Sequence, residues 1–491
     1  MKYQRLLITA FLFAGLTGAA LAQTAEDAIR LALPHQYMSA RSAAMGNAFT
    51  GVADDFSAMY FNPAGLGLLY RSEFSLGLMN YTGETESSFL GNTISTDESA
   101  FSMNNIGLAI PFPVQRGSLV FGIGFTRMLD YSNASQAQGY NSQSSYIPTL
   151  YNDDASIDLA WQLGLEDTSL AIPITDNVQQ DFSKLLEGSL DQWSFGGGVE
   201  VSPSLYFGLG INILTGSFRS EEYITETDVN LMYQDVIPGR DYDRVDWQEA
   251  EITNTIDQEL SGWNATFGGL YNYKDKVRVG LSLTTPTTIT VDEIYIRSGE
   301  AVFDDVIEQY NIDFAPHIYD ISLPMVFRAG VMVAPVDFVR LSADVELKDY
   351  SSLEFSNSND EFFNTLDIPD INQYMRQNLM NTNSFRFGAE ILVPKTDLAL
   401  RAGYAMYPSA YDEDKFEEAP EGLNYDRTTI SAGLGYTFKE KFIIHATYLM
   451  TTYDFFRFLY DDPFPPAEFV RVEESFTNSA LMFQIHYLFQ R

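Results

Sequence analysis

Arg278, Arg328, Arg340, Arg386 and Arg401, with Asp344, Glu346, Lys348, Glu390, His445 and His486, stand at alternate positions of runs whose intervening residues are apolar. A guanidinium presents a planar fork of donors that matches a carboxylate, so one such residue without a protein partner would hold an acidic ligand. Arg328 and Arg401 are the candidates for that role. The competing reading is mutual pairing across neighbouring strands, which charges removed from water require. The opposite signs gathered in VRLSADVELK (339–348) favour a structural network there.

The elements that carry these residues read as strands. In 339–348 Val339, Leu341, Ala343, Val345 and Leu347 share one face, and Arg340, Ser342, Asp344, Glu346 and Lys348 the other. SFRFGAEI (384–391), LALRAGYA (398–405) and TISAGLGYTF (429–438) repeat the pattern. A period of two is the signature of β-structure. Between the runs, short connections near 111–117, 202–204, 273–276, 334–336, 393–397 and 438–441 alternate with long ones near 83–98, 130–190, 225–257, 293–315, 351–381, 411–424 and 455–474. Short turns at one end and long loops at the other are the asymmetry of a bacterial outer-membrane barrel. The expected fold is all-β: a transmembrane antiparallel β-barrel of about 14 strands over residues 71–491, from a strand at 72–82 to one at 476–489. The apolar face then meets lipid, the charged face lines a lumen, and the expected location is the bacterial cell outer membrane.

Composition agrees. The 491 residues carry a formal charge of -37, which excludes nucleic acid as a partner. There is no cysteine, so disulfides, thiolate metal sites and cysteine nucleophiles are excluded. Residues 1–22 read as a signal peptide: Lys2 and Arg5 precede an apolar core from Leu6 to Leu16 and the small-residue site Ala20-Leu21-Ala22. The acidic stretches 240–251 and 410–422 lack the spacing of a calcium loop and read as solvated outer loops, while RFLYDDPFPPAEFV (457–470) reads as a loop packed on itself, the alternative being a membrane-skimming or ligand-catching lip. With four histidines and no HExxH, GxSxG or P-loop pattern, neither an enzyme, a cofactor nor a metal site is expected.

Residues 23–70 do not alternate. They are rich in small residues and end in MYFNPAGLGLLY, where Asn62-Pro63 marks a turn between apolar flanks. A fourteen-strand barrel leaves a wide lumen, and this segment is the expected plug, or hatch, with Asn62, Pro63, Ala64 and Gly65 as its buried, gating turn. Phe61, just before the turn, is a candidate ligand contact. Inward glycines such as Gly122, Gly196, Gly208, Gly268 and Gly280 either leave room for that plug or mark strand curvature.

The stretch MSARSAAMGNAFTGVADDFSAMYFNPAGLG resembles the N-terminal signature of the FadL/TodX family of outer-membrane transport proteins. LPMVFRAGVMV, FVRLSADVELKDYSSLEF, FRFGAEI, LALRAGYAMYPSAY and TISAGLGYTF follow in that family's order. The resemblance implies a fourteen-stranded barrel, a hatch ending in the Asn-Pro-Ala element, and passive uptake of long-chain fatty acids or hydrocarbons. It implies capture among outer loops, an apolar pocket, and exit after the N-terminus rearranges, often through a gap in the wall. The last strand, ALMFQIHYLFQR, resembles the signal read by the barrel-assembly machinery, although Gln490 and Arg491 follow the terminal aromatic. The expected partners are therefore a hydrophobic small molecule, outer-membrane lipid and that machinery. Two other readings remain: a barrel serving as a platform for a protein partner in export or surface assembly, and an open porin. An apolar pocket behind the hatch favours uptake, a sealed lumen the platform, and a water path the porin.

Overall fold

The computed structural model describes residues 25–34, 37–152, 158–239, 243–360, 363–412, 415, 420, 422–461 and 469–489. The expected signal peptide, Gln490, Arg491 and parts of 240–251, 410–422 and 457–470 lie outside them.

The described residues form fourteen antiparallel strands. These are β1 (Glu73–Phe89), β2 (Asn92–Phe112), β3 (Leu119–Asp130 and Asn133–Asn141), β4 (Val178–Ser202), β5 (Leu205–Thr227), β6 (Trp247–Tyr273) and β7 (Val277–Thr284 and Thr287–Phe303). There follow β8 (Ile307–Asp313, His317–Leu323 and Val326–Val336), β9 (Val339–Asp349), β10 (Asn381–Leu392), β11 (Leu398–Tyr407), β12 (Arg427–Phe438), β13 (Phe442–Asp461) and β14 (Phe469–Leu488). Each pairs with its neighbours in sequence, and β14 pairs with β1 from Glu73↔Leu488 to Ser88↔Glu473, closing the barrel. Closure pairs the first strand with the last, so neither ends the sheet as a free edge.

The alternation does what the sequence predicts. Phe121, Phe195, Phe207, Trp263, Leu281, Leu341, Phe385, Tyr404, Leu434 and Phe483 are exposed on the outer face, while Arg278, Arg328, Asp344, Glu346, Lys348, Arg386, Glu390, Arg401, His445 and His486 are buried inside. An exterior this apolar is stable against lipid and not against water.

The strands run much further than expected. A bilayer is crossed by about 9–11 residues of tilted strand, yet β4, β5 and β6 have 25, 23 and 27 residues. The outer connection expected at 83–98 is a continuous hairpin closed by the two-residue turn Leu90-Gly91, both at positive φ. The expected loops at 225–257 and 293–315 are largely strand as well. In TGETESS (82–88) the inward residues Thr85 and Ser87 are buried but polar, so the segment pairs in a ladder without any hydropathy period to reveal it.

Above the barrel the connection after β3 folds back as a cap. Its short helix α4 (Leu159–Gln162; α1 to α3 are defined below) packs with Ile147, Leu165, Trp247 and Phe303 in an apolar cluster separate from that of the lumen. Two carboxylates are buried in it. Glu226 accepts from the Ser145 hydroxyl, the Tyr146 amide and the Gln180 amide. Glu166 has no donor on either oxygen. Burial, and then the charge of Asp158 beside it, push its carboxyl up to about 7.

Candidate functional site

The N-terminal segment lies inside the barrel. It comprises α1 (Ala25–Leu31), α2 (Ala40–Ala44), α3 (Ala58–Phe61) and a 3₁₀ turn (Pro63–Leu68). Ser39, in extended conformation, caps α2 through its hydroxyl, which accepts from the Ser42 amide. Helices this short are marginal alone and depend on the wall for their order. Ala40 N donates to Gln484 on β14 (2.7 Å), the Thr447 hydroxyl on β13 donates to Ala40 O (2.6 Å), and Thr50 N donates to Asp344 on β9 (2.7 Å).

The inward glycines are the seat of this segment. A Cβ on Gly403 of β11 would stand 1.9 Å from Gly46 N; on Gly388 of β10, 2.6 Å from Met45 O; on Gly330 of β8, 2.8 Å from Gly51 N. On Gly280 of β7 it would stand 2.1 Å from Thr50 O, on Gly268 of β6 2.2 Å from Asn62 Oδ1, on Gly208 of β5 2.2 Å from Ala64 N, and on Gly198 of β4 2.6 Å from Gly67 N. The chain thus travels round the inner wall strand by strand along a groove made by missing side chains. Of the two readings of these glycines, room for the plug is the one the contacts support.

The Asn-Pro-Ala turn is buried at the end of that path. Asn62 Nδ2 donates to Thr50 O (3.1 Å) and to Gly269 O of the wall (3.0 Å), while its Oδ1 accepts from Ala64 N (3.2 Å). Pro63 opens the 3₁₀ turn, where its missing N–H costs nothing. Gly65 packs against Ala53, where a Cβ would stand 2.0 Å from its carbonyl oxygen. Phe61 is fully buried against Phe49 and Tyr60.

Toward the short-turn end, two charge clusters join plug to wall. Arg41 reaches Asp54 (2.6 Å), Asp55 (3.2 Å) and Glu390 (3.1 Å). Glu390 also takes Arg340 (3.0 Å) and Arg401 (2.7 Å), and Asp54 takes Arg278 (3.0 Å). In the second cluster Glu346 receives Arg328 (2.6 Å) and Arg386 (3.3 Å), and Arg328 donates to the Tyr60 hydroxyl (2.9 Å). Neither Arg328 nor Arg401 is therefore an unpaired guanidinium; Arg401 also meets His445 Nδ1 (3.0 Å). Pairing is the reading the structure supports, because a buried cation without a counter-charge is too costly.

Above the plug, toward the long loops, lies a cavity of about 280 Å³. Its wall includes Tyr37, Tyr81, Tyr131, Phe218, Tyr350, Tyr411, Tyr425, Tyr453, Phe455 and Phe476, with Ile29 and Arg30 of α1 on one side. Tyr453 and Phe476 stack at 4.7 Å, and Tyr131 meets Phe218 edge-on at 5.4 Å. Arg30, held by Asp27 (2.7 Å), lies 3.4 Å over the Phe218 ring. Arg427 lies 3.8 Å over Tyr453. A second cavity, of about 40 Å³, is lined by Arg328, Lys348, Tyr60 and Leu31. Phe61 and Arg401 line neither. Arg427, which the candidates omit, lies two positions before TISAGLGYTF on the inward parity, so extending that run by one pleat reaches it.

Beside the larger cavity the wall has a seam. The β2–β3 ladder stops at Asn105↔Thr126. Beyond it β2 pairs only with β1, and Asn133–Asn141 of β3 only with β4. Bulges at Gly77/Leu78 and Arg127/Leu129 flank the break. Side chains close it: the Asn92 amide donates to Gln138 O and the Thr96 hydroxyl to Ala134 O.

A family model described as outer membrane protein transport protein (OMPP1/FadL/TodX) matches residues 190–457, more than half of the chain. Among solved structures the chain is similar to a FadL homologue of Pseudomonas aeruginosa, at 13% identity and a TM-score of 0.54, covering 91% of this chain and 98% of that one. It is also similar to the Pseudomonas putida toluene transporter TodX, at 13% identity and a TM-score of 0.52, covering 92% and 98%. A search of curated proteins gave no match.

Proposed function

The chain belongs to the OMPP1/FadL/TodX family of outer-membrane transport proteins, and from that premise we propose that it is a passive, hatch-gated channel for hydrophobic small molecules. The observation that carries this reading is the aromatic cavity above a plugged lumen. An open porin needs a water path, and here the wall's glycine groove is filled by the N-terminal segment. A platform needs no cavity.

In this reading a ligand leaves the outer medium, sheds water against the ring-lined wall, and rests on α1. Burying apolar surface is worth about 25 cal/mol per Å², and that gain holds the ligand without any chemical step. Onward movement requires α1 and Tyr37 to shift, because both border the cavity. Asn62, Pro63, Ala64 and Gly65 are the anchored end against which that shift occurs. The exit is lateral, at the membrane-side end of the β2–β3 seam, where the backbone ladder stops at Asn105↔Thr126. Residues 23–70 are the hatch and 71–491 the barrel. The ligand is not held by Arg328 or Arg401, whose charges are spent on Glu346 and Glu390, nor by Phe61, which is hatch core.

Native mass spectrometry of protein extracted in mild detergent tests the reading. A hydrophobic small molecule should co-purify and be displaced by competing hydrocarbons or fatty acids. Replacing Asn62-Pro63-Ala64 by three glycines should change uptake while the barrel stays folded. A barrel that is empty, takes up no probe and instead carries a protein in stoichiometric amount would overturn it.

A further inference from the structure

The charges lining the larger cavity are not all paired. Arg30 is neutralised by Asp27 at 2.7 Å, and Asp130 by Arg127 at 3.3 Å. Glu26 forms no ion pair with a described residue, since Arg457 near it is held by Glu222 (2.9 Å) and Glu474 (3.4 Å). Arg427 lines the same cavity and forms no ion pair and no hydrogen bond with any described residue; its one contact of note is the Tyr453 ring at 3.8 Å. A ring face stabilises a cation only modestly, so this half-buried guanidinium keeps its capacity for a counter-charge. A second polar group on this wall is also unsatisfied: the Tyr131 hydroxyl is buried without a partner, in a residue only 7% exposed.

Resting on the channel reading above, we propose that the cavity selects flat aromatic monoanions, aromatic carboxylates first among them, with Arg427 as the counter-charge. One unpaired guanidinium matches one carboxylate in a two-pronged contact. The flat body follows from the walls. The parallel Tyr453–Phe476 pair and the edge-on Tyr131–Phe218 pair present ring faces and edges, which gain more from another ring than from a flexible chain. A flexible chain also loses more rotational freedom on being bound. Arg427 is thus a specificity residue: it decides between an anion and its neutral counterpart, while the rings supply affinity common to both.

The test is equilibrium binding of three probes to the full chain in detergent: 2-naphthoate, its neutral isostere 2-naphthamide, and decanoate. The expected order is naphthoate at least tenfold tighter than either of the others. Arg427→Gln should remove the preference for naphthoate over naphthamide and leave naphthamide affinity within about twofold, whereas Arg427→Lys should keep part of it. Retention of the heat-modifiable band on gels establishes that each variant is folded. If naphthamide binds as well as naphthoate, or the preference survives in Arg427→Gln, the counter-charge is refuted. If decanoate matches naphthoate, the aromatic selectivity is refuted. If no probe binds at all, both this inference and the channel reading fall; binding of naphthamide alone overturns only the inference.

Discussion

At the scale of single residues, burial of charge separates the two ends of the molecule. In the lumen each buried carboxylate of the plug-to-wall clusters has an arginine, and the ligand roles expected of Arg328 and Arg401 give way to pairing. In the outer cap Glu166 has no cation and no donor, so the fold holds its proton more firmly than the unfolded chain does. The sign follows by linkage: a carboxyl with a raised folded pKa binds more protons when folded, so stability falls as pH rises through the window from the unfolded value, 4.5, to about 7. The protection of amides in 142–152 and 158–177 against hydrogen exchange, taken relative to the intrinsic rate at each pH, should therefore be greater at pH 5 than at pH 8, and Glu166→Gln should flatten that difference. Equal protection at both pH values in the unaltered chain would show that the carboxyl is not protonated there.

At the scale of elements, the strands were legible within the membrane and illegible beyond it. SFRFGAEI and TISAGLGYTF announce themselves because one face must meet lipid; the outer half of β1 and β2 is polar on both faces and reads as loop, although it pairs residue by residue. The plug's place was legible from its small residues and its turn. Its anchoring was not, since Arg41 acquires meaning only beside Glu390, 349 residues away. The aromatic cavity was hidden for the same reason: Tyr37, Tyr131 and Arg427 come from three distant stretches. The glycine groove makes an element-level prediction. Gly208→Val places atoms where Ala64 N now lies 2.2 Å from a Cβ, whereas Gly269→Val on the outer face meets nothing closer than 3.8 Å. The first should displace the plug and raise ion conductance in planar bilayers, and the second should leave it at the level of the unaltered protein. Equal conductance in the two would refute the groove as the seat.

At the scale of the whole molecule, the formal charge of -37 governs encounter rather than fold. An acidic exterior repels an anion on approach even where Arg427 welcomes it inside. Association of 2-naphthoate should accordingly speed up severalfold between about 10 mM and about 150 mM salt, as the Debye length shortens from about 30 Å to about 8 Å. The naphthamide rate should not change; a parallel rise for both probes would assign the effect to something other than charge.

The glycine groove also fixes an order of assembly. The plug precedes the barrel in the chain, yet its seat is composed of backbone from β4, β5, β6, β7, β8, β10 and β11. Those surfaces do not exist until the strands have paired, and every contact spans a long stretch of sequence, the kind of contact that forms slowly. The part of the chain that is synthesised first is thus the part that settles last. The wall must curl around a loose N-terminus before β14 meets β1, or else that N-terminus must thread in from the short-turn end after the seam between them is shut.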